Sequence, residues 1–264
     1  MSKTPCPLPT ASNLSDLRDQ LSLFAAHETR EAREYYLQRL AELFGAESAA
    51  WVISVLKDSC AEDDPSLAWF PHLLTKLHAD GVFSETLRTQ HKPIQDVEFD
   101  AITSDRLAGP HAFRVLSLPD LAPEGTQGST RYREFLLEIG VSDSMWGIVP
   151  VRNDIEIYVG LHRGAEKPDF SQQEAETYAH ALKGLKWFFR HQALGEGVFA
   201  ADVQLTNSEL RVLRCLLQGH SKHNIAYNLS KSPHTINDAI KSIYKKCGVS
   251  SRAALTALWL GKNH

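Results

Sequence analysis

The stretch from Leu205 to Ala253, LTNSELRVLRCLLQGHSKHNIAYNLSKSPHTINDAIKSIYKKCGVSSRA, is punctuated like a set of short helices. Thr206 precedes Asn-Ser-Glu209, so its hydroxyl is placed to cap a helix whose third residue, Glu209, reaches back to the cap. Leu210, Leu213, Leu216 and Leu217 then recur at helical spacing, and Gly219 ends the run. Ser221 opens a second, shorter helix with Ile225, Ala226 and Leu229 on one stripe. Ser232-Pro233 supplies an N-cap followed by Pro at the first helical position, where no backbone donor is wasted. The third helix buries Ile236, Ile240, Ile243 and Cys247; Gly248 stops it, and Ser250 or Ser251 starts a fourth with Leu255 and Leu258 inward. Two short helices joined by a tight turn, the second with its polar face free, have the geometry that lays a helix in a DNA major groove. A small helical bundle packed on a protein partner would show the same pattern.

Charge separates these two readings better than pattern does. Residues 203–264 carry nine Lys or Arg against two acids, Glu209 and Asp238, whereas residues 1–202 carry nineteen basic side chains against thirty acidic ones. The net charge of −4 over 264 residues thus hides a basic tail on an acidic body. Such a division suggests that the tail meets a polyanion and the body does not.

The tail also carries a specific resemblance. Leu205-Thr-Asn-Ser-Glu209, Val212-Leu213, Gly219-His-Ser221, Ile225-Ala226, Leu229, Ser232-Pro-His-Thr235-Ile236 and Gly248-Val249-Ser-Ser251-Arg252-Ala253 together resemble the LuxR-type helix-turn-helix signature over about 60 residues without a gap. The promoter-reading domain of sigma factors shares three of the helices but lacks the closing motif. The resemblance implies base reading from Asn237, Asp238 and Lys241, with His234 on the same exposed face. Family members usually carry Lys at the places of His234 and Asn237, and Asp238-Ala239 and Asn224 also depart from the family pattern. Asn can pair bidentately with adenine, Asp accepts from cytosine N4, and Lys donates to guanine, so these departures imply a different preferred site or a weaker binder. Phosphate donors are expected at Lys222, His223, Thr235, Lys245, Lys246 and Arg252. A homodimer is expected through the last helix, because Leu255 and Leu258 suffice for its own core and leave Trp259 for a partner; Leu258 and Trp259 are the expected interface. The resemblance points to the same helix.

The acidic body reads as α+β. Leu14–Ala26 and Thr29–Phe44 are amphipathic helices, and Ser48–Leu56 reads as a buried strand around Trp51. Trp69–Ala79 is expected to be helical. Ser129–Ile139 reads as a further helix, and Trp146–Val151 with Ile155–His162 reads as a hairpin across Arg152-Asn-Asp154. Ser171 with Glu174 forms a capping box for one last helix, striped by Tyr178, Leu182, Leu185 and Phe189. Leu40-Ala-Glu-Leu-Phe-Gly45, Tyr132-Arg-Glu-Phe135, Gly160-Leu-His-Arg163 and Phe170-Ser-Gln-Gln-Glu174 resemble a GAF-like sensory domain. The resemblance implies an α/β/α sandwich around an antiparallel sheet. The acyl-homoserine-lactone receptors use the same sandwich, but their Trp and Tyr placement before an Asp-Pro segment is not matched, since Asp64-Pro65 here precedes Trp69.

The expected division is a lead-in at 1–13, a sensory body at 14–190, a linker at 191–204 and a helix-turn-helix domain at 205–264. A ligand pocket is expected between the sheet and the Pro-rich stretch near 91–128, lined by Trp51, Trp69, Phe113, Tyr132 and Trp146. Arg106, His111 and Arg114 are candidates for an anionic ligand group. Catalytic triads, metal-ligand spacing and Walker loops are absent from the sequence, so neither an enzyme, a metal nor a cofactor is expected. The four cysteines are scattered, as free thiols in a reducing cytoplasm would be, and a membrane-length apolar run is lacking. Duplex DNA, a small-molecule ligand and RNA polymerase are the expected partners. The alternative is a co-regulator whose body takes no ligand and only dimerises or recruits another protein.

Overall fold

The computed structural model describes residues 6–56, 69–78, 81–86, 112–123, 127–200 and 203–260. The chain forms two compact units. Unit 1 comprises residues 1–20 and 34–185, and unit 2 comprises residues 21–33 and 186–264.

Unit 1 is built on a six-stranded sheet in the order β3-β2-β1-β6-β5-β4. Its strands are β1 (Ser48–Leu56), β2 (Trp69–His78), β3 (Gly81–Thr86), β4 (Arg114–Ser117), β5 (Asp143–Arg152) and β6 (Ile155–Arg163). Every pairing is antiparallel. The expected hairpin is β5–β6, closed across Arg152-Asn-Asp154 as the turn residues required.

Side chains alternate across this sheet, so each face has its own core. On one face lie α2 (Thr29–Leu43) and α5 (Gln172–Leu182). Tyr36 of α2 meets Trp51 edge-on at 6.1 Å, Phe44 meets Tyr178 at 5.4 Å, and the Tyr178 hydroxyl donates to the Val159 carbonyl at 2.9 Å. Gly147 makes this approach possible: a Cβ there would stand 2.0 Å from the Leu182 side chain. α1 (Ala11–Ser22) is tied to α5 by Arg18, which donates to the His180 carbonyl at 2.7 Å. The other face is covered by α3 (Leu118–Leu121) and α4 (Gln127–Glu138), with Tyr132, Leu136, Leu118, Leu121 and Val141 packed on Ala50, Val52, Trp146, Ile148 and Tyr158. The result is the expected α/β/α sandwich.

A buried arginine closes the end of the sheet. Arg163 donates to the Phe44 carbonyl and to Glu174, each at 2.5 Å, and lies over the Phe170 ring at 3.9 Å. Burial works against the Glu174 charge, but donation from Arg163 and Ser171 outweighs it and holds the carboxyl below its usual range. The Ser171–Glu174 capping box forms as the sequence implied.

Four expectations for the body need correction. Residues 69–78 are strand β2, not helix; the leucines at 73, 74 and 77 mimic a helical stripe, yet β2 is an inner strand paired with β1 and β3. The helix opening at Ser171 does not run on to Phe189. It breaks at Gly184, whose φ of +86° suits glycine, and a separate helix α6 (Lys186–Gly195) follows. Residues 191–195, expected in a linker, therefore belong to α6, and the short hairpin β7 (Val198–Ala200) and β8 (Val203–Gln204) follows it. At the N-terminus, α1 begins at Ala11, inside the expected lead-in.

Unit 2 continues with α7 (Asn207–Leu217), α8 (Lys222–Asn228), α9 (Pro233–Lys246) and α10 (Arg252–Trp259). Each of the expected caps forms: Thr206, Ser221, Ser232 and Ser251 accept from the backbone of Glu209, Asn224, Thr235 and Ala254. The stripes read from sequence make one core, including Leu210, Leu213, Leu216, Ile225, Ile236, Ile240, Ile243 and Leu255. Leu194, Leu205 and Trp259 complete it.

Candidate nucleic-acid interface

A helix can enter a groove only if the elements behind it fix its position. Here Glu209 does much of that work. Its carboxylate accepts from Thr206 N at 2.6 Å, from Ser242 Oγ at 2.6 Å and from Lys246 Nζ at 2.8 Å, so the first turn of α7 is bonded to the last turns of α9. Burial opposes the charge, but donation from Lys246, Ser242 and Thr206 prevails and holds the Glu209 carboxyl down at about 2. Arg252 acts at the other end of α7, donating to the His220 carbonyl at 3.0 Å and to the Leu216 carbonyl. The Leu216 carbonyl, at the end of α7, also accepts from Gly219 N at 3.0 Å, and a guanidinium suits carbonyls at a helix C-terminus.

Two of the six expected phosphate donors are therefore committed inside the domain. Lys246 is only 33 % exposed and paired with Glu209, and Arg252 caps α7. Lys222, His223, Thr235 and Lys245 are exposed, as that role requires. Thr235 sits in the first turn of α9 with its amide on Ser232 Oγ at 3.0 Å. α8 is capped at its C-terminus by Leu229, and the next residue, Ser230, has a positive φ of +51° where the chain turns toward α9.

The outward face of α9 carries His234, Asn237, Asp238 and Lys241. His234 Nδ1 lies 3.0 Å from Asp238 Oδ2, one turn apart, with both side chains more than half exposed. Lys222 Nζ donates across the turn to Asn237 Oδ1 at 2.7 Å. Sequence reasoning placed these two residues in separate roles and missed the bond, because fifteen positions separate them. Tyr227 of α8 is 86 % exposed, an exposed aromatic that the sequence reading did not single out.

Trp259 does not lie where the dimer expectation put it. It is 2 % exposed, its ring stacked on His191 of α6 at 5.3 Å and 23°. α10 thus spends its tryptophan inside unit 2, and Leu258 is also partly buried against the same core. Cys215 and Cys247 are core thiols; burial raises both, Cys247 up to about 12, which leaves neither reactive.

The expected pocket residues do not share one site. Trp51 pairs with Val159 and faces α2, whereas Trp146 pairs with Gly160, the partner of Ala50, on the opposite face. Tyr132 joins Trp146 there. Phe113 lies half-buried with Lys183 Nζ 5.1 Å from its ring centroid. The Trp69 side chain, Arg106, His111 and most of the Pro-rich stretch lie outside the described residues. Arg114 is engaged by the buried Glu156 at 3.3 Å, and the Tyr158 hydroxyl donates to the same carboxylate at 2.8 Å. On this second face the buried Ser54 Oγ and Trp146 Nε1 make no hydrogen bond among the described residues. Groups of three or more metal-ligating side chains are absent among the described residues.

Residues 203–259 match the family of bacterial regulatory proteins described as the luxR family. Among solved structures, the chain is similar to Escherichia coli SdiA in the space group P6522, at 15 % identity and a TM-score of 0.42, covering 95 % of this chain and 98 % of that one. It is likewise similar to SdiA in complex with octanoyl-rac-glycerol, at 16 % identity and a TM-score of 0.43, covering 97 % and 99 %. No curated protein matches the chain.

Proposed function

We propose that this chain, whose residues 203–259 belong to the luxR family of bacterial regulatory proteins, is a cytoplasmic transcription regulator in which the body senses a small molecule and thereby controls DNA binding by unit 2. The observation that carries the DNA half is the pair α8 and α9. Both are capped at their N-termini, and they are joined by a tight turn. The outer face of α9 is polar and flanked by Lys222, Lys241 and Lys245. A homodimer on an inverted-repeat site, and contact with RNA polymerase, are part of this reading; with Trp259 buried, the dimer surface has to be sought elsewhere than its ring.

Sensing is supported by the sheet face that carries Trp146, Tyr132 and Tyr158. Two buried polar atoms there, Ser54 Oγ and Trp146 Nε1, lack a bond among the described residues, which favours a polar ligand group on that face. The rival reading, a ligand-independent co-regulator, draws on the same packing: Tyr132 and Trp146 are each buried against α3, α4 and the sheet like ordinary core residues.

One titration tests both halves. Fluorescence anisotropy of the full chain on duplex DNA should show log affinity falling by about 0.9 per phosphate neutralised for each log unit of salt. Absent or salt-independent binding would remove the DNA reading. Repeating it with candidate small molecules should shift the affinity of the wild type but not of Trp146→Phe; a shift common to both would place the effect outside this face.

A further inference from the structure

Base reading by α9 involves a residue that is not on α9. Lys222, the first residue of α8, donates from Nζ to Asn237 Oδ1 at 2.7 Å. The orientation of the Asn237 amide follows from chemistry: an ammonium has no acceptor lone pair, so the atom turned toward it must be the oxygen. Bidentate pairing of Asn with adenine needs that oxygen to receive the N6 amino group while Nδ2 donates to N7. The oxygen keeps a second lone pair, but with Lys222 Nζ 2.7 Å away an incoming adenine amino group would crowd the remaining ammonium hydrogens, donor against donor. What the pair presents instead is the two Nδ2 hydrogens beside the remaining hydrogens of Nζ. Guanine offers two acceptors, O6 and N7, along its major-groove edge, and adenine places a donor where O6 would be. Asp238, the adjacent residue and the one carboxylate on the outward face of α9, is held by His234 at 3.0 Å.

We infer that Lys222 and Asn237 act as one composite donor that reads guanine, so that Lys222 determines base specificity and is more than a phosphate contact. The inference rests on the DNA-binding reading above and concerns which base that reading selects. Lys222 is exposed and opens a helix capped by Ser221, so replacing it leaves the fold of α8 supported.

The test is selection of duplexes from a random pool by the full-length wild type, Lys222→Met, Lys222→Arg and Asn237→Ala, followed by affinity measurements on single-site variants. The wild type should select guanine at one position and discriminate there against adenine by roughly 5- to 150-fold. Lys222→Met should shift that position to adenine, since Asn237 regains both donor and acceptor, and Lys222→Arg should keep guanine. Asn237→Ala should lose the preference without acquiring adenine. Replacing the guanine by 7-deazaguanine, which lacks N7, should weaken the wild type. The inference is overturned if Lys222→Met recovers the same site and weakens all sequences by one factor with a shallower salt dependence, the behaviour of a phosphate contact. It is also overturned if the wild type prefers adenine at the position lost in Asn237→Ala. A wild type that selects no sequence at low salt overturns the DNA reading itself, an outcome distinct from both.

Discussion

Glu209 joins three jobs in one carboxylate: it completes the capping box of α7, receives Ser242, and pairs with Lys246. Hydrogen bonds to a charged group of this kind contribute about 1.5–3 kcal/mol, so Glu209→Gln should destabilise the chain by about that amount at neutral pH. The pH dependence has a definite sign. The folded carboxyl sits at about 2, and an unfolded one near ~4.3. Its contribution is therefore complete at neutral pH and is lost as the pH falls from ~4.3 through about 2. Calorimetry of wild type and Glu209→Gln across this window should show the difference shrinking toward low pH; a constant difference would mean the carboxylate's charge is not what matters. Only part of Glu209 was legible. The Thr206–Glu209 box spans three residues and shows in sequence, whereas Ser242 and Lys246 arrive through packing. The same blindness sent Lys246 and Arg252 to the DNA surface, although the fold uses both internally.

Elements with one polar face were read correctly, and so were the buried strands β1, β5 and β6, whose runs are rich in Val and Ile; β2 and α6 were not. α7, α8 and α9 each hide one stripe and expose the rest, so their periods are plain. β2 has neighbours on both edges and alternates His72, Leu73 and Thr75 as buried residues, which erases the period-two signal. α6 was missed because Gly195 and Gly197 suggest a linker, while Phe188, Phe189 and Gln192 are in fact buried on it. That error concealed the partner of Trp259. Because the indole is packed against α6, Trp259→Ala should destabilise the chain by about 3–5 kcal/mol even as a monomer, measured by denaturant unfolding. A variant as stable as the wild type would return Trp259 to an intermolecular role. Burial also holds His191 below the usual histidine value, against a backbone hydrogen bond with Trp259 and aided by Arg190. The unfolded chain then takes up the proton first, so stability falls as the pH drops below ~6.5 and levels off once the folded ring is itself protonated. His191→Phe keeps an aromatic partner for Trp259 and should remove that dependence.

At the scale of the molecule, the charge division and the structural division do not coincide. Charge turns basic near residue 203, yet unit 2 reaches back to Lys186 and also takes in residues 21–33. The reason lies in what the recognition helices need behind them. Leu194 and Trp259 belong to the same core as Leu213 and Ile236, and the buried Arg33 pairs with Glu196 at 3.0 Å while also donating to Gln192 at 3.2 Å. A fragment cut at the charge boundary therefore loses part of its core as well as a tether. In residues 198–264 Trp259 is the sole tryptophan, so its fluorescence reports directly on this loss. A 198–264 fragment should emit at longer wavelength and unfold at lower denaturant than a 186–264 fragment carrying Trp187→Phe, in which His191 still covers the indole. The longer fragment should in turn fall short of the full chain, because among the described residues Glu196 keeps only Arg214 as an ion-pair partner, at 4.0 Å, once Arg33 is removed. Equal emission and equal unfolding midpoints for the two fragments would show that the four-helix module is complete without α6, and that the boundary drawn from charge was also the boundary of the fold.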